Sequence, residues 1–163
     1  MRSSIGSISV ILISLFALSC TKSKNSNGAP SDSMSIVISD SGSAKTSKFI
    51  ADTCAASDGT NGATRILTIT GINFDSAYTI KEIYFEIYGY NGPGTYNLSN
   101  DSTKPVTATF DEAFPASTGY TIFPVYMTTG TIHITSQSAN TVEGDFSIKD
   151  GITNYTGIFN IPY

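Results

Sequence analysis

The chain has no tryptophan, one histidine and two cysteines among its 163 residues, and only 13% of its residues are charged. A zinc site needs three or four clustered ligands, so one His and a distant Cys argue against it. The Lys and Arg residues are scattered singly in a chain of net charge −4, which argues against a nucleic-acid-binding surface. We therefore expect no metal, no cofactor and no nucleic-acid partner.

Long apolar runs are also missing, except for one near the start at residues 5–18. One basic residue precedes this run, and the small residues Ala17 and Ser19 lie just before Cys20, as in an export signal. The run is shorter than the roughly 20 apolar residues that a membrane-spanning helix needs. The pattern predicts a signal peptide at 1–19 and a lipid on Cys20 that holds the protein in a membrane.

The predicted location is the outer membrane, with the domain facing the periplasm or the cell surface. Ala17 and Leu18 depart from the usual lipidation motif, so a secreted, unanchored protein is the alternative. An acylated Cys20 would leave Cys54 as the sole thiol, whereas in a secreted protein the two cysteines would be able to pair. Polar residues follow, and 20–33 is predicted to be the lipidated cysteine and a flexible tether.

From Met34 onward, apolar and polar residues alternate with period two, and turn residues recur about every ten positions. No segment has the pattern of an amphipathic helix. The sequence predicts one all-β domain at 34–163, an antiparallel meander folded into a sandwich or an up-and-down barrel. The predicted strands are 34–38, 49–55, 65–72, 78–90, 95–98, 106–110, 120–127, 130–136, 141–148 and 155–161.

The alternation also predicts the core. Ile83, Phe85 and Ile87 share one face of the longest strand, and Phe146 shares a face with Ile148. Further inward pairs are Ile132 with Ile134 and Phe159 with Ile161. We expect these side chains to be buried, whereas Tyr84 and Tyr88 should face solvent.

Four C-terminal motifs occur in a fixed order: GTYNL at 94–98, GTIHIT at 130–135, VEGDFSI at 142–148 and ITNYTGIF at 152–159. In this order they resemble a family of small Bacteroidota lipoproteins known as a domain of unknown function. The resemblance implies a β fold and a location in the cell envelope. That family carries no known catalytic residues, so the resemblance implies none here.

Polar and aromatic residues line the other face of the longest strand: Glu82, Tyr84, Glu86, Tyr88 and Tyr90. Four residues of strand separate the two glutamates by about 13 Å, too far for a glycosidase pair unless a neighbouring strand supplies a partner. Tyr84, Glu86, Tyr88 and Tyr90 are instead candidates for holding a sugar or a peptide, by stacking and hydrogen bonding. A solvated face, with Tyr present for its β propensity, is the alternative.

The remaining candidates do not form a catalytic set. His133 lies between Ile132 and Ile134, so we expect it on an exposed strand face without a nucleophile motif beside it. Cys54 is predicted to be buried, and residues 57–62 to form a turn. We therefore expect a binding or structural protein rather than an enzyme.

Overall fold

The structure, a computed structural model, describes residues 33–43, 45–75, 79–99, 105–117 and 119–163. The predicted signal peptide, Cys20 and the tether up to residue 32 lie outside the described residues. Within those ranges the chain forms strands and no helix. The strands are β1 (Ser33–Asp40), β2 (Thr46–Ile50), β3 (Thr53–Asn61), β4 (Thr64–Phe74), β5 (Ile80–Tyr88), β6 (Gly94–Asn97), β7 (Val106–Ala116), β8 (Gly119–Tyr126), β9 (Thr129–Gln137), β10 (Thr141–Lys149) and β11 (Thr153–Pro162).

The strands form two antiparallel sheets that pack against each other. Sheet I has the order β2-β1-β11-β10-β9-β6, and sheet II has the order β3-β4-β5-β7-β8. The predicted all-β, antiparallel fold is confirmed, and of the two predicted architectures the sandwich is observed. Hairpins join β3 to β5, β7 to β8 and β9 to β11 within a sheet. A hairpin also joins β1 to β2 within sheet I. The connections β2–β3, β5–β6, β6–β7 and β8–β9 carry the chain from one sheet to the other, and β1 pairs with the last strand, β11.

The predicted strand at 49–55 is in fact two strands, one in each sheet. The amide of Ala51 donates to the carbonyl of Met34 in sheet I at 2.9 Å, and the next amide, of Asp52, donates to Ile72 in sheet II at 2.7 Å. Because consecutive amides bond to different sheets, the chain passes between the layers here. Period-two alternation continues through such a crossing, so it does not reveal the break.

The predicted turn at 57–62 is wrong as well. β3 continues through Asn61, and Asp58 pairs with Leu67 of β4. The turn is shorter and centres on Gly62, whose φ of 64° is in the left-handed region that favours glycine. Asp58 is tolerated in the strand because its carboxylate forms an ion pair with Arg65 of β4.

The core lies between the sheets and confirms the predicted faces. Phe85 of sheet II and Phe146 of sheet I meet with ring centroids 4.9 Å apart. Gly157 of β11 makes room for this contact, since a Cβ built there would lie 2.5 Å from the Phe146 ring. The largest fully buried side chains are Met34, Ile36, Leu67, Ile69, Ile83, Phe85, Ile87, Ile132, Ile134, Val142, Ile148 and Ile161.

Candidate functional site

The outer face of sheet II carries most of the predicted binding residues. Ile83, Phe85 and Ile87 point inward, so the alternate residues of β5 point away from the core. We call the surface formed by Glu82, Tyr84, Glu86 and Tyr88, with their neighbours on β4, β7 and β8, the tyrosine face. Tyr84 and Tyr88 are outward-facing as predicted, but they are half-buried rather than fully solvent-exposed.

Strand register adds a residue that sequence reasoning missed. Tyr84 lies between Thr70 of β4 and Thr109 of β7, and Thr109 pairs in turn with Tyr126 of β8. Residues directly opposite in an antiparallel pair point to the same side, so Tyr84 and Tyr126 share this face, two strand spacings or about 10 Å apart. Tyr126 is 70% exposed. Only the pairing of β7 with β8 reveals it, because 42 positions separate the two tyrosines in the sequence.

Two carboxyl groups are adjacent at one side of the tyrosine face. Glu82 of β5 pairs directly with Asp111 of β7. Asp111 is therefore the carboxylate neighbour of Glu82, whereas Glu86 lies too far along the same strand. Burial, and then the charge of Asp111, raises the pKa of Glu82, and burial raises the pKa of Asp111. One side-chain oxygen of Asp111, Oδ1, is buried and has no hydrogen-bond partner in the described structure.

The orientation of this pair is not that of a glycosidase. The two carboxyl groups of a glycosidase flank the bond to be cleaved. Neighbouring side chains on one sheet face project in parallel, so Glu82 and Asp111 would both contact the same side of a ligand. The pair is suited to accepting or sharing hydrogen bonds with hydroxyl groups.

Tyr84 is a stable hydrogen-bond donor at neutral pH. Burial, followed by the nearby Glu86 carboxylate and Tyr88, raises the pKa of Tyr84 to about 12. The phenol therefore keeps its proton, beside carboxylates that act as acceptors. The tyrosine face thus combines aromatic rings with both donors and acceptors.

Tyr90, the fourth predicted site residue, does not lie on this face. Gly89 has a φ of 72°, and the amides of Gly89 and Tyr90 both donate to the carbonyl of Arg65, at 2.8 and 3.2 Å. Because two consecutive residues use one partner, the alternation shifts by one residue and Tyr90 turns inward. Only 2% of Tyr90 is exposed. Its assignment to the binding face is wrong.

Tyr90 instead closes one end of the sandwich. Its hydroxyl donates to Gln137 Oε1 at 2.7 Å, and its ring contacts Tyr96 at a centroid distance of 5.6 Å. The Arg65 guanidinium lies 4.9 Å from the Tyr90 ring centroid and also donates to Asp58 and Tyr163. Every polar group named here has a partner, so this cluster is structural.

His133 and Cys54 lie where the sequence predicts. His133 is exposed on β9, and its Nδ1 is 3.1 Å from Asp145 Oδ2 on β10. Both side chains are about half exposed on an open sheet face. Cys54 is buried in the core.

A cleft of about 390 Å³ opens between the sheets at the end opposite Tyr90. Its polar groups are largely paired with one another, since Lys81 lies 3.6 Å from Glu112 and Thr153 donates to Asp40 at 2.9 Å. Burial, followed by the charges of Asp150 and Glu112, raises the pKa of Tyr155 in this cleft to about 12. The cleft offers few free polar groups to a ligand, in contrast to the tyrosine face.

Among the described residues, no three His, Cys, Asp or Glu side chains are grouped so that they could hold a metal ion. The described part of the chain also contains no helix with the length and apolarity to cross a membrane. No family model, curated protein or solved structure gives a match to this chain.

Proposed function

We propose that this protein is a lipid-anchored component of a bacterial envelope that binds a glycan on the tyrosine face. The observation that carries the proposal is the row formed by Tyr84, Thr109 and Tyr126, beside the carboxyl pair of Glu82 and Asp111. Aromatic rings offer flat apolar surfaces for sugar rings, and the flanking carboxylates accept hydrogen bonds from hydroxyl groups. A stiff sheet holds these groups in place without a lid or a deep pocket.

The charge of the face limits the class of glycan. Glu82, Glu86 and Asp111 all point to the same side as Tyr84, and no basic residue lies opposite them in the paired strands. Acidic polysaccharides would be repelled, whereas neutral or amine-bearing sugars would be accepted. We therefore propose a neutral or amine-bearing glycan as the ligand.

The anchor is proposed from the sequence, in which the apolar run of 5–18 ends at Cys20. The resemblance to small Bacteroidota lipoproteins supports the same location. We also propose that the bound glycan is not cleaved, because parallel carboxyl groups on one face cannot flank a bond.

Glycan-array binding by the purified chain, followed by calorimetry on any positive sugar, tests the ligand proposal. We expect Tyr126→Ala and Tyr84→Ala each to weaken binding by about tenfold or more, the equivalent of about 1.4 kcal/mol. Tyr120→Ala is the matched control, since Tyr120 is an exposed tyrosine of the same strand beyond the Tyr84 row. Equal binding by all three variants would refute the tyrosine face as the site.

Fatty-acid labelling and cell fractionation test the anchor. Cys20→Ser should abolish labelling and move the protein from the membrane to the soluble fraction. A Cys54→Ser variant should do neither. Unchanged labelling in Cys20→Ser would rule the anchor out.

A further inference from the structure

Large apolar side chains are exposed together at the end of sheet II opposite Tyr90. We call Phe74, Phe114, Tyr120, Ile122 and Phe123 the apolar rim; each is between 41 and 57% exposed. Every residue of the β7–β8 hairpin from Phe114 to Pro124 whose side chain the structure describes is exposed. The hairpin thus extends apolar side chains beyond the core.

The rim occupies both sides of the hairpin end. Phe74 pairs with Ile80, Ile80 with Ala113 and Ala113 with Ile122, in one row across four strands. Ala113 is buried although it does not pack in the core between the sheets. Its outward-facing neighbours in the row therefore cover it. On the other side of the same hairpin, which faces the cleft, the rings of Phe114 and Phe123 meet edge to face at 5.9 Å.

Beyond Glu112, which pairs with Phe123 and forms an ion pair with Lys81, the hairpin also lacks charge. No Asp, Glu, Lys or Arg occurs from residue 113 to residue 128. Edge strands of water-exposed sheets are usually protected by charged side chains, and β8 is an edge strand without any. Aromatic and aliphatic side chains without charges are the composition that favours the boundary of a lipid bilayer.

The chain enters the domain beside the rim. β1 begins at Ser33, and Ser35 pairs with Ile50 at the end of β2. The carbonyl of Ile50 accepts a hydrogen bond from the Asn73 side chain at 2.9 Å, and Phe74 is the next residue. The 12 residues between Cys20 and Ser33 allow a separation of at most about 47 Å when extended. A lipid on Cys20 would therefore keep the rim at high local concentration near the bilayer.

The free edge of β8 is poorly suited to pairing with a second copy. The amide of Met127 donates to Ala108 of β7, so by alternation the backbone of Val125 also faces β7 and position 124 faces the free edge. Position 124 is proline, which has no amide to donate, in the middle of that edge. Contacts of the rim must therefore come mainly from side chains.

We propose that the apolar rim inserts into the interfacial region of the membrane to which the protein is anchored. This inference rests on the proposed anchor at Cys20. Insertion would hold the hairpin at the bilayer and leave the tyrosine face, which runs away from the rim along the same strands, accessible to glycans.

Because the chain contains no tryptophan, single tryptophan reporters give an unambiguous signal. The acylated full chain carrying Phe123→Trp would be reconstituted into phosphatidylcholine vesicles with brominated acyl chains. The matched control is Ile158→Trp, which replaces an exposed apolar residue on the outer face of sheet I. We expect the Phe123→Trp emission to be quenched at least threefold more than that of the control. Phe114→Trp is a second rim reporter should the first fail to fold.

Equal quenching of rim and control reporters, or none of either, would overturn the proposal. The rim would instead contact a second copy of the chain if Phe123→Trp emission were blue-shifted without vesicles and the mass in solution were doubled. That result would also overturn the proposal. Fatty-acid labelling of the same samples separates the two proposals. Labelled protein without quenching keeps the anchor and rejects the rim, whereas quenching of unlabelled protein keeps the rim and rejects the anchor.

Discussion

The two ends of sheet II use aromatic residues in opposite ways. At one end, Tyr90 is buried and contacts Arg65 and Tyr96, and its hydroxyl donates a hydrogen bond to Gln137. At the other end, Phe114 and Phe123 contact each other but remain about half exposed. The first end has the complete packing of a structural closure, whereas the second has an apolar surface that the fold does not cover. The difference shows that an aromatic residue cannot be assigned to the core or to a binding surface before its position in the strand register is known.

Truncation at the two ends should produce the largest contrast in stability. We expect Tyr90→Ala to lower the free energy of unfolding by about 3–5 kcal/mol, because it removes a buried ring. Phe123→Ala should change it by about 0.5 kcal/mol or less, since the ring is more than half exposed. Urea denaturation of both variants checks this, and similar losses would contradict the comparison.

Glycine-to-alanine substitutions extend the comparison to a tightly packed position and an open one. Gly157→Ala should cost about 1–3 kcal/mol, because the new Cβ would meet the Phe146 ring and the Ser35 carbonyl at 2.5 Å. Gly59→Ala is the control, since no atom lies within 4 Å of its Cβ position. That substitution should be neutral or slightly stabilising, as it restricts the unfolded chain. Thermal unfolding measures both effects, and a loss of stability in Gly59→Ala as large as in Gly157→Ala would argue against the assigned packing.

The smallest expected effect is the pH dependence caused by the carboxyl pair on the tyrosine face. The pKa of Glu82 is raised by burial and by Asp111, so the folded state holds its proton more tightly than the unfolded state. Its stabilising contribution is complete below the unfolded pKa and is lost as pH rises through the raised folded value. Glu82→Gln should remove this part of the pH dependence and leave the protein more stable than wild type at neutral pH. Denaturation between pH 3 and pH 8 would test it, and an unchanged slope would rule out a coupled pair.

Alternation was sufficient to predict the fold class and the core. Ile83, Phe85 and Ile87 are buried because nothing interrupts the pleat between them. It was insufficient at Tyr90, where the positive φ of Gly89 shifts the pattern by one residue. A glycine between two tyrosines is the only local sign of that shift, and it is equally compatible with an uninterrupted strand.

The candidate site was only partly predictable. Tyr84, Glu86 and Tyr88 follow from the period of one strand, whereas Tyr126 and Asp111 require the pairing of β7 with its two neighbours. Such pairing depends on contacts distant in sequence, which no local pattern specifies. The lipid at Cys20 stays a prediction, because Cys20 lies outside the described residues. The family resemblance also stays a prediction.

The pairing of β1 with β11 has a consequence for how the protein folds. Thr153 donates to Asp40 across 113 positions of sequence, and the first strand lies between β2 and the last strand. Sheet I is therefore incomplete until nearly the whole chain is available, and so many distant contacts favour slow folding, on the order of milliseconds to seconds. A growing chain could not complete sheet I until its final strand emerged, whereas the strands of sheet II, at residues 53–126, need no part of that strand to pair.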